Sequence, residues 1–472
     1  MLLALAAGSL SACVAGPDYR QPAPELPVAW KTEAPWREGA PSDMLDKGPW
    51  WHRFGDAQLD ALEQKALADN PSLAAANARL AQARAVVASA SAAQFPQVGI
   101  AARAARAKIS ANRPLTNYGS PNFSTVQNDF ILGLAVSYEV DLAGRVQRTI
   151  EGARASAEQS ASDLENTRLL LTTDLAAAYF NLREIDTEID VLARSIDLQR
   201  RSLDLAGSRH DLGATSGLDV AQQQALLDTT LTQVDVLRRT RGQFEHAIAA
   251  LTGTPAPEFS LPRDVKQLVP PTVPIGVPSD ILQRRPDVAS AERAMAAANA
   301  QIGVASAAFY PSITLFPTVG GESTSLSTLF NAPSLIWSLG VSVLQPIFDA
   351  GRLNANVDFA RGGYDVAVAN YRRTVLTAMQ EAEDGITGLA ALDSATAQAQ
   401  VAIASTARVL DLANARYEGG VATYLDVITA QQGLLNNERL SAQLQGQQLL
   451  TSIFLIKALG GDWQGRTKLA IQ

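Results

Sequence analysis

The chain has 472 residues, 47% apolar and only 6% aromatic, with 39 Lys and Arg against 47 Asp and Glu for a net charge of −8. That balance lacks the clustered cations a nucleic-acid surface needs, and the single cysteine excludes a disulfide framework and any thiolate metal cluster. Few aromatics with abundant Ala and Gln suit long packed helices better than a deep globular core.

The apolar run Leu2 to Leu10 leads into Ser11-Ala12-Cys13. Leu-Ser-Ala-Cys is the pattern of a bacterial lipobox, and the run before it is too short to span a bilayer, so it reads as a cleaved signal. Cys13 is then the acylated first residue of the mature protein, carrying a diacylglycerol and an N-acyl chain. Val14, and not Asp, follows it; the absence of the usual inner-membrane retention signal favours the outer membrane. From Gly16 to Trp50 seven prolines exclude regular helix and central strand, which predicts an extended tether. Trp50, Trp51, Phe54, Leu59 and Leu62 open an amphipathic helix; after Asn70-Pro71 a second helix runs to Gln94, and Phe95-Pro96 stops it.

Between Pro96 and Gly144 the hydrophobic period changes to two. Val98, Ile100, Ala102 and Ala104 alternate with Gln97, Gly99, Ala101 and Arg103, and Phe130, Leu132, Leu134, Val136 and Tyr138 alternate with Ile131, Gly133, Ala135 and Ser137. Each run has the length of a tilted membrane-spanning strand. The polar stretch Ser110 to Asn128 reads as a hairpin loop. Ile313, Leu315, Pro317 and Val319, then Leu335, Trp337, Leu339, Val341 and Val343, give a second pair, so four strands are expected per chain.

From Leu171 onward, Leu175, Ala178, Leu182, Ile185, Ile189, Leu192, Ile196, Gln199, Leu203 and Ala206 recur at steps of four and three, a heptad seam broken by Gln199. Displaced by 207 residues, Ala378, Ala382, Gly385, Leu389, Leu392, Thr396, Ala399, Ile403, Thr406, Leu410 and Ala413 keep the same register. A helix of that length spans roughly 100 Å and must pack on neighbours along its whole length. Both runs end in a matching turn: Arg209 to Val220 aligns with Arg416 to Val427, which pairs Gly213 with Gly420, Ser216 with Thr423 and Asp219 with Asp426. The two glycines fit left-handed C-caps, and Ser216 and Thr423 stand where caps of returning helices belong.

The earlier helices and strands also recur, at an offset of 215, so the chain is internally duplicated. The expected organisation is a signal segment 1–12, a lipidated tether 13–50 and a first repeat 51–253 with strand hairpin 97–139, long helix 142–207 and return helix 218–251. A Pro-rich connector 254–278 leads to a second repeat 279–461 with hairpin 312–347, long helix 349–416 and return helix 423–459, and 462–472 is a tail. Four strands cannot close a barrel and open edges are not tolerated in lipid, so several chains must share one sheet with cyclic symmetry. Catalysis has no support: His52, His210 and His246 lie in unrelated segments, so no two of them share helical spacing, and no phosphate loop or nucleophile elbow is present. A lipid-tethered periplasmic coiled-coil scaffold is the alternative, but it leaves the paired strand insertions unexplained.

The chain resembles the TolC-like outer-membrane factor family, and within it the lipidated, NodT-like channels of resistance-nodulation-division efflux systems. The features that carry the resemblance are the lipobox before Gly16-Pro17-Asp18-Tyr19, Trp50-Trp51-x-x-Phe54, Asp141-Leu142-x-Gly144-Arg145, Phe348-Asp349-Ala350-Gly351-Arg352 and the two turns. The resemblance implies a homotrimer whose strands close a twelve-stranded β-barrel in the outer membrane, continued by an α-barrel of long helices in the periplasm. It also implies a periplasmic adaptor and an inner-membrane pump as partners, with a type I secretion duct as a related possibility. No cofactor is expected apart from the lipid on Cys13. The turns would form a periplasmic tip that pinches shut, with Arg416 and Tyr417 making constraining links, Asp426 lining the aperture, and Arg209, Gly213, Asp219, Gly420 and Thr423 shaping the same tip. Some members carry a second acid one helical turn beyond Asp426; here Thr429 stands there.

Overall fold

The computed structural model describes residues 14–20, 49–111, 124–266, 269–271 and 285–461. Cys13, the signal segment, most of the tether and the tail 462–472 lie outside the described residues. The helices are α1 (Ala57–Asp69), α2 (Pro71–Ala92), α3 (Arg145–Asp211), α4 (Gly217–Leu251), α5 (Pro286–Ala307), α6 (Arg352–Glu418) and α7 (Tyr424–Ala458). The strands are β1 (Gln97–Ile109), β2 (Thr125–Val140), β3 (Ser312–Leu315), β4 (Thr318–Ser323), β5 (Leu335–Ser338) and β6 (Val341–Leu344). No described helix is long and apolar enough to cross a membrane. The chain forms two compact units, one from 1–23, 79–160 and 291–371, the other from 24–78, 161–290 and 372–472.

The first unit holds the strands, in one antiparallel sheet. β1 and β2 pair without interruption from Gln97↔Ser137 to Ile109↔Thr125, longer than the alternation alone indicated. The second hairpin differs from the expectation of two unbroken strands: it comes as four short segments. Phe316-Pro317 separates β3 from β4, and Leu339-Gly340 separates β5 from β6. Proline has no N–H for the ladder, and a Cβ on Gly340 would stand 2.1 Å from the Phe316 ring, so only glycine fits under that ring. Hydrogen bonds still cross the kink, from Phe316 N–H to the Gly340 carbonyl at 3.0 Å and from Val136 N–H to the Pro317 carbonyl at 2.9 Å. The segments therefore act as two kinked strands, and the sheet runs β1, β2, β3/β4, β5/β6.

The register joins the apolar sets. Ile100 faces Leu134, Leu134 faces Val319, and Val319 faces Trp337; Val140 faces Ile313, and Ile313 faces Val343. Directly paired residues point to one side of a sheet, so these side chains form one continuous apolar face. Val98, Ile100, Trp337, Val341 and Val343 on it are exposed.

In the second unit the heptad seam lies in the core: Leu175, Leu182, Ile185, Ile189, Leu192, Ile196 and Ala206 of α3 are buried, as are Ala378, Ala382, Leu389 and Leu410 of α6. The small seam residues allow close approach; a Cβ on Gly385 would lie 3.1 Å from Leu455 of α7. Trp50, Trp51 and Phe54 form a buried aromatic turn with Phe54 4.8 Å from Phe180, and Asp56 caps α1 while accepting from the Tyr179 hydroxyl at 2.7 Å. The chain after α4 is held by ion pairs: fully buried Asp186 accepts from Arg183 and from Arg241, and Arg241 also reaches the Leu261 carbonyl.

Candidate functional site

At the ends of α3 and α6 the two repeats fold alike. Gly213 N–H bonds to the His210 carbonyl and Ala214 N–H to that of Arg209; Gly420 N–H bonds to that of Tyr417 and Val421 N–H to that of Arg416. These are Schellman caps, and φ of +73° at Gly213 and +72° at Gly420 explains why both positions are glycine. The turn chemistry was legible in the sequence because it is local.

The return helices start from polar caps. Ser216 accepts from Leu218 N–H at 2.9 Å, and the Asp219 carboxylate accepts from the Thr215 hydroxyl. In the second copy the Asp426 carboxylate accepts from both the N–H and the hydroxyl of Thr423, each at 2.9 Å. Asp426 is exposed but tied to its own helix start, as an acid near a helix N-terminus is favoured to be.

A four-helix cluster joins the turns. Ala206 of α3, Leu226 of α4, Leu410 of α6, and Tyr424, Val427, Ile428 and Ala430 of α7 pack together. The Tyr417 ring packs against Tyr424 in a tilted contact, centroids 5.0 Å apart, and the Arg209 guanidinium lies 5.0 Å over the Tyr417 ring. Arg209 of the first repeat is thus the partner of Tyr417 of the second. Arg416 is exposed, and among the described residues its side chain has no ion pair or hydrogen bond within the chain.

Behind this cluster lies a polar layer that the sequence marked only through Gln199. Gln223 is fully buried; its amide donates to the Gln199 carbonyl at 3.0 Å and its oxygen accepts from the Tyr424 hydroxyl at 3.0 Å. Burial pushes the Tyr424 hydroxyl up to about 12, so it stays a neutral donor. Gln431 donates to Ser202, and Gln199 to Ser195. A polar residue in a heptad seam was the available signal; its partners, on other helices, were not.

The N-terminal segment of the first unit forms a second structured place. Ala15 N–H bonds to the Ala143 carbonyl at 2.9 Å, and buried Arg148 reaches the carbonyls of Ala15 and Gly16 and the carboxylates of Asp18 and Glu151. Asn299 donates to the Pro17 carbonyl, and Tyr19 donates to Glu292 at 2.5 Å. Gly16 has φ +88°, and a Cβ there would stand 2.5 Å from the Gly303 Cα. The Gly16-Pro17-Asp18-Tyr19 motif is therefore a docking segment whose receptor, Arg148, looked like an ordinary solvated helix residue in the sequence. Among the described residues no group of His, Cys, Asp or Glu could hold a metal ion.

A duplicated helical body, a four-strand sheet with an exposed apolar face and paired helix-end turns define an outer-membrane channel protein. The outer membrane efflux protein family profile matches residues 62–254 and 277–461. The pyoverdine export outer membrane protein OpmQ of Pseudomonas aeruginosa is 31% identical over 96% of this chain and 95% of its own length. The antibiotic efflux pump outer membrane protein ArpC of Pseudomonas putida is 32% identical over 100% and 97%. Among solved structures, the outer-membrane channel OprN superposes with a TM-score of 0.88 at 28% identity, covering 96% of this chain and 100% of that one. VceC of Vibrio cholerae gives 0.81 at 28% identity over 88% and 99%. The chain belongs to the outer membrane efflux protein family. It is an outer-membrane exit duct for efflux, and its fold is the duplicated long-helix body with membrane strands that the sequence pattern indicated.

Proposed function

We propose that this chain works as a homotrimer, the last element of a tripartite system in which an inner-membrane pump of the resistance-nodulation-division type and a periplasmic adaptor drive solutes into it. The observation that carries this reading is the sheet. Among the described residues the outer sides of its two edge strands, β1 and β5/β6, have no partner, and its apolar face is exposed. Open edges are not tolerated in lipid, so three copies of a four-strand sheet closing as a twelve-stranded barrel satisfy both edges. The duplicated helices then form the periplasmic conduit, and the turns at Gly213 and Gly420 form its tip, where the adaptor docks.

In this reading Arg416, exposed and unpaired among the described residues, reaches a neighbouring subunit, while Arg209, Tyr417 and Tyr424 hold the two helical hairpins of one subunit together. The three Asp426 carboxylates contribute negative charge at the aperture. Cys13 carries lipid. It directly precedes Val14, which packs on Gly144 where β2 gives way to α3. Three or more chains per trimer make such anchoring stable.

Purified protein in planar bilayers tests the reading. Discrete single-channel steps from a heat-modifiable trimer are expected, whereas a lipid-tethered scaffold gives neither.

A further inference from the structure

A second polar junction lies well behind the tip, roughly 35 Å from it along α3 for a helical rise of about 1.5 Å per residue. Glu188 of α3 is almost fully buried. Its Oε2 accepts from Nε and Nη2 of the Arg439 guanidinium of α7, at 3.2 and 2.9 Å, and its Oε1 from the Gln443 amide at 2.7 Å. The same guanidinium donates to Gln233 of α4 at 3.2 Å. One side chain thus ties three helices. One turn before Glu188, Glu184 lies over Gly446 of α7, where a Cβ would stand 2.5 Å from the Glu184 Cγ. Between this junction and the tip, the same helices meet through Ile189, Leu192, Ile196, Leu227 and Leu435. Apolar packing tolerates small sliding, whereas directional, charge-assisted hydrogen bonds fix register.

We propose that Glu184, Glu188 and Arg439 form a latch that fixes the register of α7 against the α3/α4 hairpin, and that loss of one proton from the carboxyl pair releases it. Glu188 pairs directly with the guanidinium and Glu184, one turn before it, lies within the field of the same charge, so the three groups together are neutral only with one proton bound. Burial pushes Glu184 up to about 8, and the Glu188 carboxylate one helical turn away pushes the same way, against Arg439. No other charge acts appreciably on it: Asp186 is engaged by Arg183 and Arg241, Asp190 by Arg194, and Gln233 and Gln443 are neutral. The folded protein holds this proton more tightly than a free carboxyl does. The stabilisation is therefore complete below the ordinary carboxyl range, falls as pH rises, and is gone above about 8.

The inference rests on the exit-duct reading. Its test is the resting conductance of reconstituted trimers at pH 6 and pH 9, an interval over which the protonated fraction of such a group falls about tenfold. Parent conductance should rise about three- to tenfold with pH. Glu184→Gln, a permanently neutral isostere, should stay at the pH 6 level at both values. Arg439→Gln should be raised at both, and exchange of the pair, Glu188→Arg with Arg439→Glu, should restore the low level. Should Arg439→Gln fail to assemble, Arg439→Lys keeps the charge without the fork and should be raised at pH 6. A parent that forms channels while Glu184→Gln keeps the full pH response, or Arg439→Gln and Arg439→Lys both conduct like the parent, overturns the latch and leaves the exit-duct reading standing. A parent that forms no channel defeats both.

Discussion

Replacing Arg209 by Ala removes the guanidinium that lies 5.0 Å over the Tyr417 ring while leaving the tilted contact of the Tyr417 and Tyr424 rings, 5.0 Å apart, in place. Such a partly exposed cation–π contact is worth about 0.5–1 kcal/mol. Three symmetric copies bias one open–closed equilibrium, so the trimer loses about 1.5–3 kcal/mol of closed-state preference, an equilibrium shift of roughly 10- to 150-fold. Both elements stay in place, because the Gly213 and Gly420 caps rest on backbone hydrogen bonds. Single-channel recording should show a higher open probability for Arg209→Ala at unchanged unitary conductance. Arg209→Lys, which keeps a cation over the ring, should lie between it and the parent. If Arg209→Ala gates like the parent, Tyr417 is held by its packing alone and the proposed link between hairpins is wrong.

Cys13→Ser should abolish lipid attachment while the barrel still assembles; intact mass of the mature protein checks this, and an unmodified residue upstream of Cys13 would contradict it. Gly16→Ala should release the docked segment, because φ +88° and the 2.5 Å approach to Gly303 leave no room for a methyl group; hydrogen exchange at the Ala15 amide should then lose protection, and unchanged protection would refute the clamp. Glu63 is fully buried with both carboxyl oxygens unpartnered, and burial, with the Asp60 charge adding, pushes it up to about 9. The folded chain therefore holds a proton that the unfolded chain releases above about pH 4.5, and stability falls as pH rises toward 9. Glu63→Gln should remove that slope and stabilise by on the order of 3 kcal/mol at pH 7; equal losses of helix melting temperature between pH 5 and pH 8 in parent and variant would show otherwise.

Patterns that repeat at a fixed spacing were legible. The period of two put Val98, Ile100, Leu134 and Val136 on one face, and the register confirms that face pair by pair. The heptad seam named Leu175, Leu182, Ile189 and Leu192, all buried. Gly213 and Gly420 were legible because a left-handed cap is a property of one residue and its neighbours. Contacts between distant segments were not. Pro317 stood among the apolar strand positions, but the kink also depends on Phe316 covering Gly340, which no local pattern shows. Arg148 and Arg439 sit in helices where an arginine reads as solvated, and only the fold brings Asp18 to one and Glu188 to the other. Gln199 was the exception, since a polar residue in an apolar seam announces a buried partner without saying that it is Gln223.

Single-particle imaging of the purified protein in lipid nanodiscs tests the central claim most directly, because the free edges β1 and β5/β6 need other copies of the chain. A threefold particle with one closed barrel of twelve strand passages in the lipid, β1 of each chain pairing with β5/β6 of the next, is the predicted result. A monomeric particle, or helical bundles attached to the disc with no barrel in the bilayer, would contradict it.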